Sequence, residues 1–176
     1  MFNHDGFIDI YSPSGFLDQD PSSEFNTLAQ PNDLFVGQEN NTFNIVKNYS
    51  PSETHFSSRF SNVIDFNLDG KDDIFVSNNN SIGELLVNKT LVKDNWLGLI
   101  PINENNIGIR SYKVNVYDEK KLIRKFIKIG GGGSFDKRSV TLVNLPNCSD
   151  LKVEIIINNN ITEYHDLTCG SYWLLK

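Results

Sequence analysis

The chain has 176 residues, of which 39 % are hydrophobic and 11 % aromatic; a disordered polymer carries fewer of both, and this length serves one ordinary domain or two small ones. Its 22 Asp and Glu against 16 Lys and Arg leave a net charge of -6, which argues against the basic surface that a sequence-independent grip on nucleic acid needs. No apolar run approaches the roughly 20 residues of a membrane-spanning helix.

The first residues, Met1-Phe2-Asn3-His4-Asp5-Gly6, have neither the basic start nor the apolar stretch of a secretion signal. Either the chain is intracellular or its true N-terminus lies upstream. From there on, helical periodicity is hard to find, and short β-type alternation recurs between Asn, Asp, Gly and Pro. Strands are expected at Asp33 to Val36, Phe43 to Val46, Phe60 to Phe66, Ile74 to Val76, Glu84 to Val87 and Trp96 to Ile102. A hairpin through Val114 and Val116 turns at Asp118 to Lys121 and returns from Leu122 to Ile129. Another runs from Val153 to Ile157 and back from Ile161 to Leu167, turning at an Asn run. The expected fold is all-β. Acidic loops stop and Lys-rich hairpins begin near Lys93, so two domains are expected, residues 1–92 and 93–176.

An internal repeat organises the first of them. Asn3-His4-Asp5-Gly6-Phe7-Ile8-Asp9-Ile10-Tyr11 matches Asn67-Leu68-Asp69-Gly70-Lys71-Asp72-Asp73-Ile74-Phe75 at an offset of 64 residues. In the second copy, oxygen-bearing side chains stand at loop positions one, three, five and nine: Asp65, Asn67, Asp69 and Asp73. Gly70 supplies the sharp turn, and the carbonyl of Lys71 offers a further oxygen. Such a set suits Ca²⁺, which takes six to eight hard oxygen ligands, better than Zn²⁺ or the stricter octahedron of Mg²⁺. The intervening Phe66 and Leu68 are expected to point to the core. The competing reading is an acidic turn whose Asp and Asn side chains only cap the backbone. The first copy offers Asn3, Asp5, Asp9 and the carbonyl of Phe7, with Met1 where the second has Asp65, and is therefore the weaker candidate site.

The Asp-x-Asn-x-Asp-Gly-x-x-Asp-Ile-Phe-Val run from Asp65 to Val76 resembles the FG-GAP (VCBS-type) repeat of integrin α-like β-propellers. Asn32-Asp33-Leu34-Phe35 and Asn41-Thr42-Phe43 are similar to the stretch between such repeats. From Asn95-Trp96-Leu97 through Asn106-Ile107-Gly108-Ile109-Arg110 to Val114, the chain resembles the start of an ASPIC and UnbV domain. Two departures stand out: Val140 to Leu145 replaces a His-Phe-Gly-Leu-Gly-like stretch, and Ile156-Ile157-Asn158-Asn159 replaces a Trp-Pro-Asp-Gly-like strand end. The resemblance implies a partial propeller-like unit of FG-GAP blades followed by a small β-sandwich or barrel-like domain. It also implies structural Ca²⁺ in the loops and a location outside the cell or in its envelope. With at most two blades, unpaired strand edges are left as a route to self-association.

Other constellations carry less chemistry. Cys148 and Cys169 are compatible with one disulfide or with two unrelated buried thiols. Of the histidines, His4, His55 and His165, only His165 lies near a cysteine, and no nucleophile motif accompanies it. Gly130 to Ser134 lacks the Lys-Ser/Thr ending and the helix of a phosphate cradle. Trp96, Tyr112, Phe135, Tyr164, Tyr172 and Trp173 are expected in the core, with a sugar-binding platform as the alternative. The Lys120 to Lys128 hairpin is expected to form one charged sheet face. The functional expectation is a non-catalytic, Ca²⁺-stabilised interaction or adhesion module that meets a protein or glycan partner. A carbohydrate-binding module and a virion or assembly structural protein are the alternatives.

Overall fold

The computed structural model describes residues 2–15, 30–47, 56–91, 95–128 and 140–176. His55, Phe135 and the Gly130 to Ser134 loop lie outside them. Among the described residues the chain is all-β, with thirteen strands and no helix. It divides into two compact units, Met1–Val92 and Lys93–Lys176.

The first unit holds two antiparallel three-stranded sheets. One is ordered β1 (Ile10–Ser12), β2 (Asp33–Gly37), β3 (Phe43–Val46); the other β4 (Ser58–Ile64), β5 (Asp73–Asn78), β6 (Glu84–Leu86). In both, the strand after the acidic loop pairs with the next strand in the same way. Ile10 lies opposite Phe35, and Ile74 opposite Leu86. The sequence repeat is therefore a repeat of structure. β4 ends at Ile64, and Phe66 and Leu68 are 63 % and 65 % exposed, so they do not point to the core as expected. Strand alternation does not continue into the loop: Leu68 takes a left-handed φ of 59°, which turns its side chain out to solvent.

The second unit contains a three-stranded sheet, β10 (Thr141–Asn144), β7 (Trp96–Pro101), β13 (Ser171–Leu175). Its companion is a four-stranded sheet, β12 (Asn160–His165), β11 (Leu151–Ile157), β8 (Tyr112–Asp118), β9 (Lys121–Lys128). Inward residues of both sheets share one core: Leu97, Leu99 and Val143 from the first, and Val114, Val116, Val153 and Ile155 from the second. Burial of each such side chain is worth about 1.5–3 kcal/mol, the main force closing the unit. Two consecutive positive-φ residues, Asn158 and Asn159, make the tight turn joining β11 to β12.

Cys148 and Cys169 form a disulfide with Cα atoms 6.1 Å apart, joining the loop before β11 to the loop before β13. The aromatic residues go largely inward. Trp96 and Tyr112 are buried, and Tyr164 and Trp173 pack against the core. Tyr172 lies edge-on to Trp96 at 5.1 Å and covers Gly98, where a Cβ would come within 2.1 Å of its ring. Gly98 is thus required by close approach.

The basic hairpin departs from the expected single charged face. β9 alternates against β8, so Lys125 pairs with outward Asn115 while Lys128 pairs with core-facing Tyr112. Lys128 Nζ then reaches the carbonyl of Val140 at 3.1 Å, and Arg124 Nε the carbonyl of Asn144 at 3.2 Å. The period of two distributes the cations to both faces.

On the outer face of the same sheet, Glu154 accepts hydrogen bonds from Lys152 Nζ (2.8 Å), Asn115 Nδ2 (3.0 Å) and Tyr117 Oη (2.9 Å). Lys152 also stands 4.5 Å above the Tyr117 ring. The Lys152 ammonium, then the Asn115 amide and Tyr117 hydroxyl, hold the Glu154 carboxyl at a pKa of about 2 against the opposing effect of burial. The same hydrogen bond to Glu154 raises the Tyr117 phenol.

Candidate metal centre

The acidic loop between β4 and β5 is held by its own side chains. Asp65 accepts from the backbone N–H of Asp69 at 3.0 Å and of Gly70 at 2.7 Å. Asn67 Oδ1 accepts from Asp69 N–H (3.3 Å), and Asp69 Oδ1 from Lys71 N–H (3.0 Å). Each is an Asx turn, a short polar side chain bonding the backbone two residues on. Leu68 and Gly70, with φ of 59° and 81°, give the loop the curvature these bonds need. Asp73, fully buried at the start of β5, accepts from Phe66 N–H (2.9 Å) and from Asn88 N–H (2.7 Å).

The first loop repeats the bonds of Asn67, Asp69 and Asp73 but not those of Asp65, since Met1 stands at that position. Asn3 Nδ2 donates to Asp5 Oδ2 as Asn67 Nδ2 does to Asp69 Oδ2. Asn3 Oδ1 accepts from Asp5 N–H, and Asp5 Oδ1 from Phe7 N–H. Asp9 accepts from Phe2 N–H (2.5 Å) and Gly37 N–H (3.0 Å), as Asp73 does from Phe66 and Asn88. His4 and Gly6 take positive φ at the positions of Leu68 and Gly70.

Gly37 and Asn88 were not visible as members of this site. Each sits two residues beyond the partner of Ile10 or Ile74, but the chain between the paired strands differs in length. An alignment at the offset of 64 therefore misses them. A Cβ at Gly37 would come within 2.3 Å of the Ile8 carbonyl, so only Gly brings its N–H this close to Asp9.

Charge follows the geometry. Lys71 Nζ lies 2.9 Å from Asp69 Oδ2, bringing positive charge to the carboxylate cluster. Burial tends to raise the Asp69 pKa, but the hydrogen bonds from Lys71 and Asn67 outweigh it and the net shift is downward. Burial depresses the His4 imidazole, with Asp72 and Asp69 of the other loop pulling the opposite way.

As donors, Asp65, Asn67, Asp69, Asp73 and the Lys71 carbonyl are all hard oxygens, the chemistry a Ca²⁺ loop requires. Asn3, Asp5, Asp9 and the Phe7 carbonyl form the corresponding set. Among the described residues, however, no three Asp, Glu, His or Cys side chains are gathered as a formed metal centre. The carboxylates are directed instead to backbone N–H groups and to Lys71.

His165 is exposed and faces Glu163 at 3.8 Å, while Cys169 is bonded to Cys148 and offers no thiolate. No protein-family model matches the chain, and no curated protein matches it either.

Proposed function

We propose that this chain is a non-catalytic, Ca²⁺-stabilised β module of an extracellular or cell-envelope interaction protein. In this reading its first unit is a pair of FG-GAP-like blades and its second a small ASPIC/UnbV-like β-sandwich, presenting exposed loops and edges to a protein or glycan partner. The observation that carries it is the duplicated acidic loop, whose Asx turns recur together with a final Asp that accepts two backbone N–H bonds. A lone acidic turn has no reason to be built twice around the same oxygens. Ca²⁺ would be held by Asp65, Asn67, Asp69, Asp73 and the Lys71 carbonyl, and would offset the repulsion among the carboxylates. The disulfide supports an oxidising compartment. Burial of Trp96 and Tyr112 speaks against a sugar platform built on them.

Calorimetric titration of Ca²⁺ into the intact chain, beside Asp69→Asn and Asp69→Ala, tests the reading. Asn keeps the acceptor for the Lys71 N–H and removes the charge, so weaker binding in Asp69→Asn with the fold intact is the expected result. No heat at millimolar Ca²⁺ would reduce both loops to capped turns.

A further inference from the structure

The two repeats share their fold but bury opposite surfaces. In the second, Ile74 and Val76 are buried at 5 % and 0 % exposure; their counterparts are Ile10, 46 % exposed, and Ser12, half-buried. Ile8 continues the open face, and Ile10, Phe35 and Ile45 form one cross-strand row along it. The opposite surface shows the reverse. Phe66, Leu68 and Phe75 are exposed in the second repeat, whereas Phe2, His4 and Tyr11 at the same positions in the first are half-buried.

Reciprocal burial of this kind arises when the Tyr11 side of the first repeat lies toward the Ile74 side of the second. Direct contacts join the two repeats: Asn88 Nδ2 donates to the Phe2 carbonyl at 2.7 Å, and Asn32 Nδ2 to Ser58 Oγ at 3.0 Å. One surface of each kind is thereby used inside the chain. The Ile10–Phe35–Ile45 face and the Phe75–Leu85 face are left over, and they correspond to the two surfaces that already meet.

We propose that these two leftover faces bind each other between copies of this chain, the Ile10 face of one copy on the Phe75 face of the next, continuing the stack already made within each copy. The contact is heterologous, so it propagates into rings or filaments rather than stopping at a two-fold dimer. It uses sheet faces, not open strand edges. Association between copies costs translational and rotational entropy that the in-chain stack avoids, which makes the assembly concentration-dependent.

Sedimentation equilibrium on the intact chain and on Ile10→Lys and Phe75→Glu provides the test, with circular dichroism confirming that each variant is folded. Both positions are substantially exposed, and Ile45→Lys is a second variant of the first face should Ile10→Lys fail to fold. The expected result is a wild-type mass that climbs with concentration past the dimer, and single variants that stay monomeric. A mixture of the two variants, each keeping one good face, should give a one-to-one dimer and nothing larger. Wild-type chain that stays monomeric at several hundred micromolar overturns the proposal. So does a wild-type dimer that never grows, or variants that assemble as the wild type does; in the first case the faces serve a different partner.

Discussion

Asn88 and Phe2 stand 86 residues apart in the chain, yet the Asn88 side-chain amide donates to the Phe2 carbonyl at 2.7 Å. The same residue gives its backbone N–H to Asp73 and its side-chain N–H to the Asp72 carbonyl at 3.2 Å, while its Oδ1 accepts from Thr90. One amide therefore fastens the acidic loop of the second repeat to the start of the first. Asn88→Ala removes the side-chain bonds and leaves the Phe2 carbonyl without this donor. A loss of about 2 kcal/mol in urea unfolding is expected. Asn88→Asp should recover little, since it keeps the acceptor and lacks the donor.

Asp73 and Asp9 do the same work in different surroundings. Asp73 is fully buried, so Asp73→Ala removes the acceptor of two part-buried backbone N–H groups, at about 3 kcal/mol. Asp9 is half-buried, and its loss leaves the N–H groups of half-buried Phe2 and buried Gly37 without this acceptor. Asp9→Ala is expected to lower stability in the same unfolding experiment as well; a variant as stable as wild type would contradict the shared role of the two carboxylates.

Much of this was legible in the sequence. The Asp-Gly repeat, the all-β character and the hairpins around Val116 and Ile155 follow from spacing and alternation that local physics enforces. Other features were not. β10 and β13 were not expected as strands: Thr141 to Asn144 and Ser171 to Leu175 are short and border loops, and their registers come from pairing with β7. The outward turn of Phe66 and Leu68 depends on a left-handed φ that residue type alone does not announce. Gly37 and Asn88 join the loops through strand pairing, a relation between distant segments that no local spacing encodes.

Glu154 sets a pH dependence for the second unit. Its carboxyl sits at about 2 in the folded chain against an ordinary value of 4.5. Between these values the unfolded chain holds a proton that the folded chain does not. Stability from the Lys152–Asn115–Tyr117 network is therefore fully present above pH 4.5 and is lost as pH falls toward 2. Comparing the acid unfolding of Glu154→Gln with wild type isolates it, and the variant should show the shallower slope across that window. Solvent at the sheet surface keeps the effect below what the shift alone suggests.

The disulfide closes a segment with a sequence separation of 21 residues. Chain entropy predicts about 3 kcal/mol of stabilisation for a loop of this length. Reduction, or the Cys148→Ala and Cys169→Ala pair, should lower the melting temperature. Limited proteolysis under reducing conditions should cut first in the loops before β11 and β13.

Thermal unfolding of the intact chain in chelator and over a series of Ca²⁺ concentrations tests the central claim most directly. Ligand that binds only the folded state stabilises it by about 2.7 kcal/mol at a hundredfold excess over the dissociation constant. The account predicts a melting temperature that rises with the logarithm of Ca²⁺ and a smaller response in Asp69→Asn. A melting temperature indifferent to both chelator and Ca²⁺ would contradict it and leave the two loops as turns closed by their own hydrogen bonds.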